Sequence, residues 1–279
     1  MERLRASVTA FLARYDRRSV FTLGLLLSTY LVVGIVWNRY LDLSQRDYLL
    51  VGIWVFMTAL MCWDIQPRRD LIRAAVGFGG GMVIEAWGTV TEIWWYFTAE
   101  RPPIWILPAW PVATIAIDRL ARAVDLFLPA GDHRPIWWLT LPPFVLGMTW
   151  WIGPYLSHPF TMFAVAMMIV VLVWKGETRE DVRLMIAGAG LGYFLEYWGT
   201  SRHCWNYYTA EIPPMAAVFA HGFAAVSFQR FAALIDRRAD RYGVSMDLGW
   251  SGGRSAEGQA SSSQSQRAQS SASGPSGSS

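Results

Sequence analysis

Lysine is almost absent from this chain: of 24 basic residues only Lys175 is not arginine. Charge of any kind is scarce, at 16% of 279 residues, where soluble domains carry about 25%, which argues against a single water-soluble core. Cysteine is scarce too: Cys62 and Cys204 are the pair present, which excludes a disulfide framework and a multi-cysteine metal cluster. No phosphate loop, nucleophile elbow, dinucleotide fingerprint or His-x-x-His pattern occurs. The glycine-rich Gly77-Phe-Gly-Gly-Gly81 lies inside an apolar run and reads as helix packing. No metal, cofactor or nucleic-acid partner is therefore expected.

What fills the chain is apolar and aromatic. Hydrophobic residues make up 53%, with 16 Trp, 11 Tyr and 14 Phe, and the mean hydropathy is +0.26. Apolar runs recur at Val20–Trp37, Tyr48–Trp63, Leu71–Thr91, Ile104–Ile117, Ile136–Gly153, Pro159–Trp174, Val182–Gly199 and Met215–Phe228. Read as helices, most have close to the roughly 20 residues that a bilayer crossing needs. The expected fold is an all-α polytopic membrane protein of about eight transmembrane helices in the cell membrane, with the lipid bilayer as partner. With the N-terminus inside, 20 of the 24 basic residues fall on the inner side and Arg39, Arg46, Arg101 and Arg202 on the outer. That asymmetry obeys the positive-inside rule and predicts both termini in the cytoplasm.

Residues 1–18 place Leu4, Val8, Phe11, Leu12 and Tyr15 on one helical face among arginines, the pattern of an interfacial amphipathic helix. Residues 249–279 are Ser, Gly, Gln and Ala with little to bury and read as a disordered cytoplasmic tail.

Between them the chain echoes itself at an offset of 111 residues. Glu85-Ala-Trp-Gly-Thr returns as Glu196-Tyr-Trp-Gly-Thr, and Trp94-Trp-Tyr-Phe-Thr-Ala-Glu-Arg-Pro-Pro103 as Trp205-Asn-Tyr-Tyr-Thr-Ala-Glu-Ile-Pro-Pro214. This predicts two parallel four-helix membrane repeats, 19–130 and 131–248, related by a pseudo-two-fold axis along the membrane normal.

Sites at such an axis use equivalent positions of both repeats. Gly77 and Gly81, like Gly188 and Gly192, lie four apart, a spacing that lets helix backbones approach closely, and packing of these two helices through their glycines would bring Glu85 and Glu196 together. One turn on come Glu85 and Glu196, then Thr89, Glu92 and Tyr96 in one repeat and Thr200, His203 and Tyr207 in the other. A carboxyl deep in an apolar run needs a partner or a function. Glu85 and Glu196 are expected to form an acid–base pair, with one kept protonated because two carboxylates in one dry site do not both ionise cheaply. Glu92 and His203 would relay protons. Trp87, Trp94, Trp198 and Trp205, beside the acids in both repeats, suit a hydrophobic or cationic guest or a carbocation, since indole faces attract positive charge. His221 interrupts the echo, standing where the first repeat has Trp110. The plain alternatives are an aromatic belt for the tryptophans, structural hydrogen bonds for Thr89 and Thr200, and solvation or helix capping for Glu100 and Glu211.

Glu85-x-x-Gly88-x-x-Thr91, in a glycine-rich run followed by aromatics and prolines, resembles the membrane-embedded carotenoid hydratases that act on acyclic carotenoid ends. The resemblance covers a short part of the chain and departs where Glu92 stands in place of a glycine and where the motif is doubled. It implies proton addition to an isoprenoid double bond, with Glu85 or Glu196 as the acid. The residues alone leave three functions open: an enzyme on an isoprenoid or lipid, a proton- or cation-coupled carrier, and a membrane scaffold.

Overall fold

Helix ends decide how the apolar runs are used. The computed structural model describes residues 2–37, 47–128, 131–174 and 178–241, so the tail expected over 249–279 lies outside the described residues. Those present form α1 (Glu2–Leu12), α2 (Arg17–Trp37), α3 (Tyr48–Met61), α4 (Pro67–Val90), β1 (Trp94–Tyr96), α5 (Ala109–Asp125), α6 (Arg134–Trp151), α7 (Pro159–Val173), α8 (Thr178–Ser201), β2 (Trp205–Tyr207) and α9 (Met215–Arg241).

The expected polytopic architecture is overturned. Among the described residues one helix, α9, is long and apolar enough to cross a membrane. The physical reason is where the helices start and stop. Asp47 caps α3 by accepting from the Leu49 and Leu50 amides, and the helix closes at Met61 after 14 residues. That is a rise of roughly 21 Å, against a hydrocarbon layer of about 30 Å. The 15 residues of α7 fall short in the same way. α4 and α8 are long but open with charged turns, Arg68-Arg69-Asp70 and Arg179-Glu180-Asp181, and each carries a glutamate further on. Of the eight expected spans the one on α9 therefore remains a candidate, and the two four-helix membrane repeats, their axis along the membrane normal and the multi-pass topology fall.

Several of the arginines that had been assigned to topology are ion-paired. Arg119 holds Asp70 at 2.5 Å and Arg230 holds Asp181 at 2.7 Å. Arg68 meets Asp236 at 2.9 Å, and Arg179 meets Asp125 at 2.8 Å. α1 docks on the protein: Trp63 donates its indole N–H to the Phe11 carbonyl and stacks on the Phe11 ring at 5.1 Å.

α5 packs against α4, α8 and α3, so it ties together the helices that carry the two glutamates. The core runs through Trp87, Trp94, Trp137, Trp151, Leu191 and Phe223. Residues up to Arg238 make one compact unit.

Candidate functional site

Two helix ends and a two-stranded ribbon build the site. α4 stops at Val90, with Thr91 as its cap, and the chain reverses through Glu92, whose φ is +61°. After α8, His203 does the same with φ +54°. In both places a backbone bond closes the turn, from Ile93 N–H to the Gly88 carbonyl and from Cys204 N–H to the Gly199 carbonyl, each at 2.9 Å. This left-handed termination stops the helix and sends the next residues back along it.

Those next residues are β1 and β2, which pair antiparallel with Trp94 opposite Tyr207 and Tyr96 opposite Trp205. Alternate residues of a strand share a face. One face of the ribbon therefore carries Trp94, Tyr96, Trp205 and Tyr207. Their rings cross-pack, at 5.8 Å for Trp94 on Tyr207 and 5.9 Å for Tyr96 on Trp205.

That aromatic face donates to the acids. Glu85 Oε2 accepts from the Trp94 indole at 3.2 Å and the Tyr96 hydroxyl at 2.9 Å, and its Oε1 accepts from the Trp110 indole at 3.0 Å. Glu196 accepts from Trp205 and Tyr207, both at 2.9 Å. At the place equivalent to Trp110 stands His221, with Nε2 3.7 Å from Glu196 Oε1. The Trp110 and His221 rings lie nearly parallel, 6.1 Å apart. His221 Nδ1 faces the Ala217 carbonyl at 2.9 Å. A carbonyl only accepts, so Nδ1 carries hydrogen, and Nε2 is the nitrogen on the side of Glu196.

Glycines make these approaches possible. A Cβ on Gly88 would stand 1.9 Å from the Trp94 ring, and one on Gly199 2.0 Å from the Trp205 ring. A Cβ on Gly81 would meet Trp110 at 2.1 Å, and one on Gly192 would meet His221 at 2.6 Å. Gly77 and Gly188 admit Thr114 of α5 and Gly222 of α9. The small residues thus seat α4 on α5 and α8 on α9, whereas the spacing alone pointed to contact between α4 and α8.

Both carboxyls are buried, Glu85 at 4% exposure and Glu196 at 3%. Burial pushes the Glu85 carboxyl above the usual carboxylate range. Its phenol and indole donors oppose that, and the nearby Glu196 adds to it. Burial and the adjoining carboxylates raise the Tyr96 and Tyr207 hydroxyls, so both stay neutral donors. The two acids line one cavity of about 490 Å³, whose remaining wall is mostly apolar and includes Ile84, Met148 and Leu195. Trp151 also lines it, and its buried indole N–H has no partner among the described residues.

The chain matches no family model, no curated protein and no solved structure.

Of the residues singled out from the sequence, Glu85, Glu196, Trp87, Trp94, Trp198, Trp205, Tyr96, Tyr207 and His221 all line this cavity. Trp87 anchors its indole on Thr161 at 3.0 Å, and Trp198 on Asp47 at 2.9 Å. Thr89 and Thr200 donate to the backbone carbonyls of Glu85 and Glu196, each at 2.6 Å, which is a structural bond within the helix. Glu92 and His203 are not brought to the cavity. Glu92 is exposed and paired with Arg101 at 2.7 Å, and His203 is exposed against Asn206. Glu100 and Glu211 are exposed and accept from Thr98 and Thr209. Trp110 is the donor that sequence reasoning left out of the site. Its signal was present in the echo, since it occupies the position of His221. Among the described residues no group of His, Cys, Asp and Glu is placed to hold a metal ion.

Proposed function

We propose that the protein is an enzyme that moves protons on an isoprenoid or lipid chain held in the large cavity, with Glu85 as acid and Glu196 as base. The observation that carries this reading is the asymmetry of two otherwise equivalent buried carboxyls. Glu85 faces indole and phenol donors alone, and burial favours its neutral, proton-bearing form. Glu196 has the His221 imidazole beside it, a group able to take or return a proton.

In the proposed step the Glu85 O–H bond breaks and its proton forms a new C–H bond on an alkene carbon. The π electrons leave a carbocation on the adjacent carbon, which the indole and phenol faces stabilise. Glu196 then takes a proton from a neighbouring C–H, whose electrons restore a double bond in a new place. If water adds to the cation first, Glu196 takes the proton from that water, and the product is an alcohol. The resemblance to carotenoid hydratases fits the second outcome. A carrier would need a path between two membrane faces, and nothing in the cavity favours that reading.

The site of action we propose is the cell membrane. α9 is the candidate span, and large apolar side chains such as Trp54, Phe56, Leu139, Trp150 and Phe163 are exposed, a surface suited to contact with lipid.

The test offers the purified chain lycopene, farnesol or farnesyl diphosphate, one at a time, in heavy water, and measures deuterium uptake or alcohol formation by mass spectrometry. Conversion of at least one probe is expected, with Glu85→Gln and Glu196→Gln each slowing it at least about a hundredfold. Turnover left unchanged in both variants overturns the assignment.

A further inference from the structure

A second, polar cavity of about 260 Å³ lies among Arg69, Arg122 and Arg183, with Asp118, Glu180 and Leu184 in its wall. It adjoins the first: Asp118 and Leu184 line both. Gln229 on the wall of the large cavity donates to Glu180 on the wall of the small one at 2.6 Å. The small cavity lies at the charged end of the helices. From Arg69 in its lining to Glu85, both on α4, the rise is roughly 24 Å.

Three arginines and two acids line the small cavity, and two acids beside it, Asp64 and Asp125, pair with Arg122 and Arg183. Each arginine commits part of its guanidinium to an acid. Arg69 Nη2 reaches Asp118 at 2.9 Å, Arg122 Nε reaches Asp118 at 3.0 Å and Arg183 Nη1 reaches Asp125 at 2.8 Å. Arg73 also closes on Asp118, at 2.9 Å. Yet Arg69 Nε, Arg122 Nη2 and Arg183 Nε are buried with no hydrogen-bond partner among the described residues. Buried donors without acceptors are costly, and native proteins rarely leave several together without a reason. Guanidinium forks match phosphate oxygens in geometry and charge, so the acceptor that these spare donors fit best is a phosphate.

We propose that the substrate is an amphiphile with a phosphate-ester head, held by Arg69, Arg122 and Arg183, whose apolar chain runs through the large cavity to Glu85 and Glu196. This rests on the reading of the large cavity as an isoprenoid or lipid site and names its substrate class. The head is an anchor: the distance along α4 puts the proton chemistry on the chain, remote from the phosphate, and no phosphorus–oxygen bond breaks.

The experiment measures binding of farnesyl diphosphate, farnesol and inorganic diphosphate to the full chain in a non-ionic detergent. Farnesyl diphosphate is expected to bind about tenfold or more tightly than either fragment, and each fragment to compete with it. Arg69→Gln and Arg183→Gln should each weaken farnesyl diphosphate about tenfold while leaving farnesol affinity intact, which also reports that the variants are folded. Arg183→Lys keeps the charge without the fork and should lie between. Equal affinity for farnesol and farnesyl diphosphate, or Gln variants that bind like the parent, overturns the proposal. Inorganic diphosphate binding as tightly as farnesyl diphosphate overturns it too, assigning the pocket to a free anion. Glu85→Gln separates the two readings: arginine-dependent binding without any conversion sinks the acid–base assignment alone, and Glu85-dependent conversion without arginine dependence sinks this one alone.

Discussion

A buried carboxyl is tolerated when its oxygens meet donors, and the identity of those donors decides what it does. Glu85 has Trp94, Tyr96 and Trp110, which give hydrogen bonds and, as neutral groups, do not take a proton from it. Its carboxyl is pushed up by burial in spite of them. The sign for stability follows. A folded-state value above the unfolded one means that Glu85's contribution is fully present below its unfolded value and is lost as pH rises through the folded one. Tyr96 holds the carboxyl down, so Tyr96→Phe raises Glu85 further. The alkaline limb of turnover should move to higher pH, with about 1 kcal/mol of stability lost with the hydrogen bond. Turnover and thermal melts measured across pH check both parts, and an unmoved or acid-shifted limb would show that Glu85 is not the acid. The other titratable groups lining the cavity are Glu196, His221, Tyr207, Asp118 and Arg73.

At the scale of elements, the sequence displayed the acids and most of their donors but concealed what joins them. Glu85 and Glu196, with Trp94, Tyr96, Trp205 and Tyr207, were legible because the same spacing occurs twice. The ribbon was not, because three-residue strands joined by no hairpin turn leave no periodicity to read, and their aromatics look like an interfacial belt. Nor were the helix ends legible: Glu92 and His203 adopt positive φ where glycine or asparagine is the usual signal, so a continuous helical stripe was the natural reading. The glycines were seen but assigned to the wrong neighbour. Gly88 serves the Trp94 ring, which predicts a contrast along one helix. Gly88→Ala should cost about 1–3 kcal/mol through overpacking and pull the Trp94 indole off Glu85. Gly79→Ala, where a Cβ meets nothing within 4 Å, should be neutral or stabilise by up to about 1 kcal/mol. Thermal melts of the two variants, with turnover alongside, make the comparison. Equal melting temperatures would remove the close approach at Gly88 from the account of the site.

At the scale of the molecule, apolar composition was legible and its deployment was not, because a run of apolar residues gives neither the helix ends nor the partners of the charges between runs. The arginines that counted as topology signals close the structure instead. Arg68 reaches from α4 to Asp236 on α9, and Arg179 from α8 to Asp125 on α5. These exchange partners across positions 111 residues apart, so the echo in the sequence persists as a likeness of contacts. Membrane association then rests on α9 and on the exposed apolar side chains. Its 27 residues rise roughly 40 Å, enough for a hydrocarbon layer of about 30 Å. Phe219, near the start of α9, is 48% exposed. Facing water, Phe219→Asp would change stability by no more than about 0.5 kcal/mol. Facing lipid, it would oppose insertion by as much as about 2.5–3.5 kcal/mol at the centre of a span, and by less nearer the interface. The expected result is that the parent chain stays in the membrane pellet after an alkaline carbonate wash, while a measurable share of Phe219→Asp is released with its melting temperature in detergent unchanged. Release of the parent chain itself would mean that α9 does not cross.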